Sequence, residues 1–211
     1  KIGFLIDHQD LNGDWMFKFN PFYSYINDYI DAENTSASRS DGYRNLKFHN
    51  HDATIAGIDI AAKRQIFKNT SLGNYDLFAK FNYQRGRNLD NSTDLYNLMP
   101  ANLSLGLNHA KNNWKNSFVV KLVDKKDKVD TVRQERETSS FAVADFYTSY
   151  QLQSFEIAGS IENIFDRMHD NPLGGEYIGQ GATMSTGVSR ATGTQTPGIG
   201  RSINISIAYL F

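Results

Sequence analysis

The chain has 211 residues, a mean hydropathy of -0.50 and a formal net charge of -1 from 22 basic and 23 acidic residues. This balance offers no basic field for nucleic acid, and the absence of cysteine excludes disulfides, cysteine-ligated zinc and a thiol nucleophile. No stretch approaches the roughly 20 apolar residues of a membrane-spanning helix. A soluble protein fits these numbers, but a transmembrane β-barrel fits them too, because only alternate residues of its strands face lipid. The 11 Tyr, 14 Phe and 2 Trp favour the barrel.

Nine segments alternate apolar with polar or small residues, which is the two-residue period of a β-strand. In chain order they are Lys1–Gln9, Asp14–Ile30, Arg44–Ile66, Tyr75–Arg87, Ala101–Ala110, Trp114–Val123, Phe141–Leu152, Phe155–Phe165 and Arg201–Phe211. The last segment is the clearest, with Ile203, Ile205, Ile207, Tyr209 and Phe211 on one face. A terminal aromatic on such a strand resembles the assembly signal of bacterial outer-membrane barrels.

The connections between these segments alternate in length. Short ones lie near residues 12–13, 68–74, 111–113 and 153–154, and long ones at 31–43, 88–100, 124–140 and 167–200. A transmembrane barrel has short periplasmic turns and long outer loops. With Phe211 at the periplasmic end, every predicted short turn lies in the periplasm.

The strand count predicts an incomplete barrel. Single-chain bacterial barrels have even numbers of strands, and an open edge in lipid leaves backbone groups unpaired. The chain also begins inside a predicted strand, at Lys1, with no signal peptide. We therefore expect residues 1–211 to be the C-terminal part of a larger transmembrane barrel domain, without its N-terminal strands.

Three segments resemble TonB-dependent outer-membrane receptors. Ser160–Arg167, which contains Asn-Ile-Phe-Asp, is similar to their "N-L-F-D" segment, and Gly57-Ile58-Asp59 resembles their "G-V/I-E" strand. Leu98–Leu105 is similar to their "P…L-S-L" strand entry. The resemblance implies an all-β fold: about nine C-terminal strands of a 22-stranded antiparallel barrel with a plug domain, which this chain lacks.

A narrower resemblance lies in the last long loop. The residues Pro172–Ser185 and Thr196–Ser202 are similar to the TonB-dependent copper receptors, whereas residues 188–195 depart from that pattern. The resemblance implies a receptor in the bacterial outer membrane that takes up a metal or metal complex, with copper as the first candidate. Its implied partners are outer-membrane lipid and lipopolysaccharide, the missing strands and plug, the TonB energy-coupling complex acting through the plug, and the barrel assembly machinery.

Candidate metal ligands are few. His49 and His51 lie two apart on the predicted lumen face, where two imidazoles can share a metal. Met168, His169 and Met184 lie in the last loop, and thioether and imidazole groups suit copper. The favoured interpretation is that these residues bind no metal, because polar residues on a solvent-exposed face and Met residues in a loop need no ligand. The resemblance implies no resident cofactor.

Other charged residues are assigned structural roles. The segment Asp124–Glu137 contains many acidic and basic residues. It is interpreted as a solvated outer hairpin rather than a contact for lipopolysaccharide phosphates. Five ionisable residues alternate with apolar ones and are predicted to point inward: Lys80, Lys121, Asp145, Glu156 and Glu162. Such groups can form ladders between strands. No catalytic spacing is present, so an enzyme is not predicted.

Two alternatives to an active transporter remain open. A passive porin or adhesin would share the strand pattern and lack the plug. A soluble β-sandwich would bury Ile203, Ile205 and Ile207 in a protein core.

Overall fold

The computed structural model describes residues 2–38, 44–177 and 193–209. The residues in these ranges form twelve β-strands and no helix. No segment of this part is a helix with the length and apolar character required to cross a membrane. The strands are β1 (Ile2–Gly3), β2 (Ile6–Gln9), β3 (Trp15–Ser38), β4 (Arg44–Thr70), β5 (Gly73–Asn88), β6 (Asn102–Lys111), β7 (Trp114–Val123), β8 (Phe141–Leu152), β9 (Phe155–Glu162), β10 (Glu176–Tyr177), β11 (Thr194–Gln195) and β12 (Ser202–Tyr209).

Ten of these strands form one antiparallel sheet, in which consecutive strands from β3 to β9 pair with each other and β12 pairs with β9. The order is β1-β3-β4-β5-β6-β7-β8-β9-β12, and β2 pairs with β3 beside β1. Strands β10 and β11 form a separate small hairpin inside the last connection. The sheet therefore makes nine passes, as the sequence predicts, and is the all-β antiparallel fold expected.

One predicted strand is interrupted, and three others differ by three or more residues from their predicted bounds. Among these three, β4 continues past Ile66 to Thr70. The first predicted strand is interrupted at Phe4 and Leu5, and its two halves pair with β3 at Ile2↔Tyr23 and Ile6↔Phe19. The second continues eight residues past Ile30, to Ser38, after a bulge between Ile26 and Tyr29 that places Asp28 at a φ of 57°. The eighth predicted strand ends at Glu162 instead of Phe165, because Asn163 turns the chain at a φ of 48°.

The short and long connections lie at opposite ends of the sheet. Two-residue turns join β4 to β5, β6 to β7 and β8 to β9, with Asn112 and Gln153 at positive φ in two of them. Long connections follow β5, β7 and β9 at the other end. The predicted alternation of loop length is therefore present from β4 onward. The long connection predicted at residues 31–43 was wrong for residues 31–38, because β3 continues to Ser38.

The register gives the sheet one apolar face and one polar face. Across the strands, Phe17 pairs with Ala62, Ala62 with Ala79 and Ala79 with Leu105. On the opposite face Asn20 pairs with Asp59, Asp59 with Asn82 and Asn82 with Asn102. The Asn82 amide donates to Asp59. Because the facing residues in these rows share their polarity, the two-residue period extends from strand to strand across this part of the sheet.

The apolar face is not covered by any described part of the chain. Its residues on β12, Ile203, Ile205 and Ile207, are 70%, 79% and 69% exposed. The buried apolar residues are few and mostly small: Ala32, Ala53, Leu95, Val123 and Ala144. A contiguous apolar surface of this kind marks an interface with a partner or a membrane.

Aromatic side chains gather on this face at the short-turn end. Trp114 meets Tyr150 edge-on at 5.7 Å, and Phe155 meets Tyr209 at 5.0 Å between ring centroids. Trp15 begins β3 at the same end. Rings of Trp and Tyr concentrate where a membrane surface meets water.

Candidate functional site

The polar face carries ion pairs between neighbouring strands. Lys63 pairs with Asp76 at 3.0 Å, and Lys121 pairs with Asp145 at 3.4 Å. The register places Lys80 on the same face, opposite Ser104, which faces Lys121. The five residues predicted to point inward all lie on the polar face: Lys80, Lys121, Asp145, Glu156 and Glu162. Of these pairs, the structure brings Lys121 and Asp145 into contact.

Asp145 also fixes the exit from β9. Its side chain is 5% exposed, and Oδ1 accepts the backbone N–H of Asn163 at 2.9 Å. The Asn163 amide in turn donates to the carbonyls of Arg167 and Ile199, at 2.9 and 3.1 Å. The segment that resembles the receptors' "N-L-F-D" is thus a hydrogen-bonded corner from which the last loop begins.

The long connections meet in a cluster that we call the outer-loop network: Lys126, Asp130, Arg133 and Glu135, with Asp31 and Asn88. Lys126 Nζ lies 2.5 Å from Glu135 Oε1 and donates to the Pro172 carbonyl at 2.8 Å. Glu135 also accepts the backbone N–H groups of Asn97 and Asp130, at 2.9 and 2.8 Å. The Lys126–Glu135 pair therefore ties together the connections after β5, β7 and β9.

Arg133 connects the network to the sheet. Its guanidinium lies 3.1 Å from Asp31 Oδ1 and 3.4 Å from Asp130 Oδ2. The Tyr96 ring lies 4.9 Å from the same guanidinium. Asn88, which is fully buried, donates its amide to Asp31 Oδ2 at 3.0 Å. The side chains of β3 and β5 thus anchor the connection after β7.

The prediction that Asp124–Glu137 is a solvated hairpin was wrong for its central residues. Lys126 and Asp130 are 3% and 1% exposed, and Glu135 is nearly as buried. Burial raises the pKa of the Asp130 carboxyl, against the backbone N–H groups of Val132 and Arg133, which lower it. The mixed charge pairs internally instead of facing solvent, although Lys125 and Lys128 remain exposed beside Asp127.

The two predicted histidines lie on the polar face and share a carboxylate. His51 Nε2 is 3.4 Å from Glu33 Oε1, and His49 Nε2 is 3.9 Å from Glu33 Oε2. His51 Nδ1 is 3.3 Å from Asp90 Oδ2. His51 is 5% exposed, and its Nε2 makes no hydrogen bond of good geometry. Within residues 2–38, 44–177 and 193–209, no group of three or more His, Asp or Glu is arranged to hold a metal ion.

The candidates of the last loop are not brought together. Met168 is 86% exposed, and the His169 ring stacks on Phe141 at 4.1 Å. Met184 lies outside the described residues. These three residues, like His49 and His51, remain predictions as metal ligands.

The predicted assembly signal lies on the apolar face as far as the structure describes it. Ile203 pairs with Ile161, Ile207 with Ile157 and Tyr209 with Phe155. Phe211 lies outside the described residues. Its role in assembly remains a prediction.

The partners of the histidines and of Arg133 were not among the predicted site residues. Glu33 and Asp31 belong to the extension of β3 past Ile30, and Asn88 and Asp90 lie where β5 ends. The one available signal was the continued alternation of β3 beyond its bulge, which an inserted residue hides because it shifts the period.

Comparisons with known proteins identify the family. A family model described as "TonB dependent receptor-like, beta-barrel" matches residues 2–164. The chain belongs to the TonB-dependent receptor β-barrel family. No curated protein sequence matches it.

Solved structures of metal transporters and uptake receptors share the fold. The structure titled "Copper transporter OprC" aligns with a TM-score of 0.81 at 17% identity, over 99% of this chain and 31% of that one. The ferric yersiniabactin uptake receptor FyuA from Yersinia pestis gives 0.65 at 14%, over 97% and 28%. The iron transporter FrpB from Neisseria meningitidis gives 0.61 at 15%, over 96% and 30%. The chain thus spans under a third of these receptors, and its sheet is part of a barrel. The family is one of outer-membrane proteins.

Proposed function

We propose that this chain is the C-terminal part of the barrel of a receptor that takes up a metal or metal complex across the outer membrane, with copper as the first candidate. The polar face lines the lumen, and the apolar face meets lipid. The short turns and the C-terminus lie in the periplasm, and the long loops lie outside the cell. Transport, in place of catalysis, is the activity of the whole receptor.

The observation that carries copper over other cargo is the degree of structural similarity. The TM-score of 0.81 with the copper transporter exceeds the 0.65 and 0.61 obtained with the two iron receptors, at comparable coverage. The resemblance of Pro172–Ser185 to the copper receptors points the same way. His49 and His51 remain candidate contacts for the metal on its way through the lumen.

The remaining partners follow from the same proposal. The N-terminal strands complete the barrel at the open edges of β1, β2 and β12, and the plug fills the lumen against the polar face. The TonB complex acts on that plug, and the barrel assembly machinery inserts the protein. The lipid around the apolar face includes lipopolysaccharide in the outer leaflet.

The test is uptake by the complete receptor in cells that lack their own copper receptor. We expect copper accumulation to require both the receptor and TonB. Zinc and a ferric siderophore, added separately, should accumulate less. Uptake that is equal with and without TonB would instead identify a passive porin, and TonB-dependent uptake of only the siderophore would refute copper as the cargo.

A further inference from the structure

An apolar groove of about 1040 Å³ lies at the short-turn end of the sheet. Its volume is at the upper end of the range of small-molecule sites. Strand β7 contributes Phe118 and Val120 to the groove but not Val119 between them. Alternate residues of a strand point to opposite faces, and most of the lining residues belong to the apolar face by register, although Met16 and Phe78 of the polar face also line the groove. The groove is therefore assigned to the apolar face of the sheet.

The shape of the groove comes from small residues between large ones. Ala62 of β4 and Ala79 of β5 pair in register and form its floor. Leu77, Leu105 and Phe118, which are 48%, 43% and 41% exposed, stand around that floor. A flexible hydrocarbon chain fits this floor, because Ala62 and Ala79 and the larger side chains around them offer it apolar contacts, whereas the polar lining residues are Asp10, Asp14, Lys63, Arg64 and Gln65.

Two cations line the groove, Lys63 and Arg64, and of these Arg64 belongs to the apolar face by register. Arg64 pairs in register with Trp15 on one side and Leu77 on the other, and it is exposed. In the part of the chain that the structure describes, no side chain neutralises it. The nearby acids are occupied, since Asp76 pairs with Lys63 at 3.0 Å and Asp14 with Lys68 at 2.9 Å.

The position of Arg64 determines what can neutralise it. A charge on the lipid-facing surface is costly unless its head reaches the polar headgroups. The neighbouring Trp15 indicates that Arg64 lies at the depth of the polar headgroups, because Trp concentrates at the boundary of the hydrocarbon. The guanidinium can form two parallel hydrogen bonds with a phosphate.

We propose that this groove binds a glycerophospholipid with an anionic headgroup, whose phosphate pairs with Arg64 and whose acyl chain lies over Ala62 and Ala79. The inference rests on the proposed placement of the apolar face in the outer membrane and is independent of the cargo. The membrane leaflet concerned is the one at the short-turn end.

The experiment measures lipid retention by the complete receptor with native mass spectrometry in detergent. The probes are phosphatidylglycerol, which is anionic, and phosphatidylcholine, which is zwitterionic. We expect preferential retention of phosphatidylglycerol, and we expect Arg64→Ala to weaken it about fivefold. Arg64→Lys should preserve the preference because the charge remains. Ala79→Phe should reduce retention of both lipids by filling the groove.

The matched control is Lys115→Ala, which removes an exposed charge near the same end but on the polar face. It should leave retention unchanged, and equal loss in Lys115→Ala and Arg64→Ala would overturn the proposal. So would wild-type retention by Arg64→Ala, equal retention of the two phospholipids, or retention of lipopolysaccharide in their place. A receptor that fails in copper uptake yet retains phosphatidylglycerol through Arg64 refutes the cargo and supports this site.

Discussion

Replacing Glu135 with Gln is expected to open the outer-loop network while the sheet stays intact. Glu135 and Lys126 are 6% and 2% exposed, so their ion pair is hardly screened by water. Removing one partner of a buried pair leaves an uncompensated charge, at a cost of about 3–5 kcal/mol. The Lys126 ammonium still donates a hydrogen bond to the Pro172 carbonyl at 2.8 Å, so we expect a cost at the lower end of this range. The amide of Gln also accepts through one oxygen only, so one of the N–H bonds from Asn97 and Asp130 is lost, at about 1 kcal/mol.

Hydrogen exchange of the backbone amides of residues 126–138, in the complete receptor, measures this effect. The two losses together come to about 4 kcal/mol, which corresponds to roughly 1000-fold faster exchange through local opening. Glu137→Gln, an exposed change two residues away, is the matched control and should leave exchange unchanged. The double variant Lys126→Met with Glu135→Leu should recover most of the protection, because both charges are removed together. Equal exchange in Glu135→Gln and Glu137→Gln would refute the assigned role of the pair.

Two further predictions concern the membrane face and the pH dependence of the loops. Ile205→Arg should lower the amount of receptor assembled in the outer membrane more than Asn204→Arg, because a cation on the lipid face costs about 2–4 kcal/mol at mid-bilayer; equal amounts on a heat-modifiable gel would contradict the assignment of faces. Burial raises the pKa of the Asp130 carboxyl, which faces Arg133 and Asp31. Above its pKa in the folded protein, the ionised carboxylate therefore opposes folding, and this penalty disappears as the pH falls toward the pKa of Asp130 in the unfolded chain. Protection of residues 126–138 should therefore rise between pH 7 and pH 4 in the wild type relative to Asp130→Asn, and a difference that does not vary with pH would refute the role of burial.

The strands and their faces could be predicted because a sheet with one apolar face imposes a two-residue period on the sequence. The last strand shows this directly: Ile203, Ile205 and Ile207, chosen from the pattern, are the exposed apolar residues of β12. Turn residues such as Asn112 and Gln153 marked the tight connections. These features are local, so a single sequence contains them.

The outer-loop network could not be predicted because its contacts join distant parts of the chain. Asp31 and Arg133 are in contact although about a hundred residues separate them, and neither has a distinctive sequence context. The same holds for Glu33, which reaches His49 and His51 only because β3 continues past its bulge. Charge density alone suggested a solvated hairpin, whereas mutual pairing of the charges permits burial.

The distribution of connection lengths has a consequence for the order in which the sheet forms. Closing a short loop costs little chain entropy, and local contacts form first. The hairpins β4–β5, β6–β7 and β8–β9, each closed by two residues, are therefore expected to form early. The long connections then join finished hairpins edge to edge, and Lys126 and Glu135 can become buried only after those hairpins have paired. The ion pair at the end with the long connections would thus form as a late step in folding, after the strands beneath it have paired.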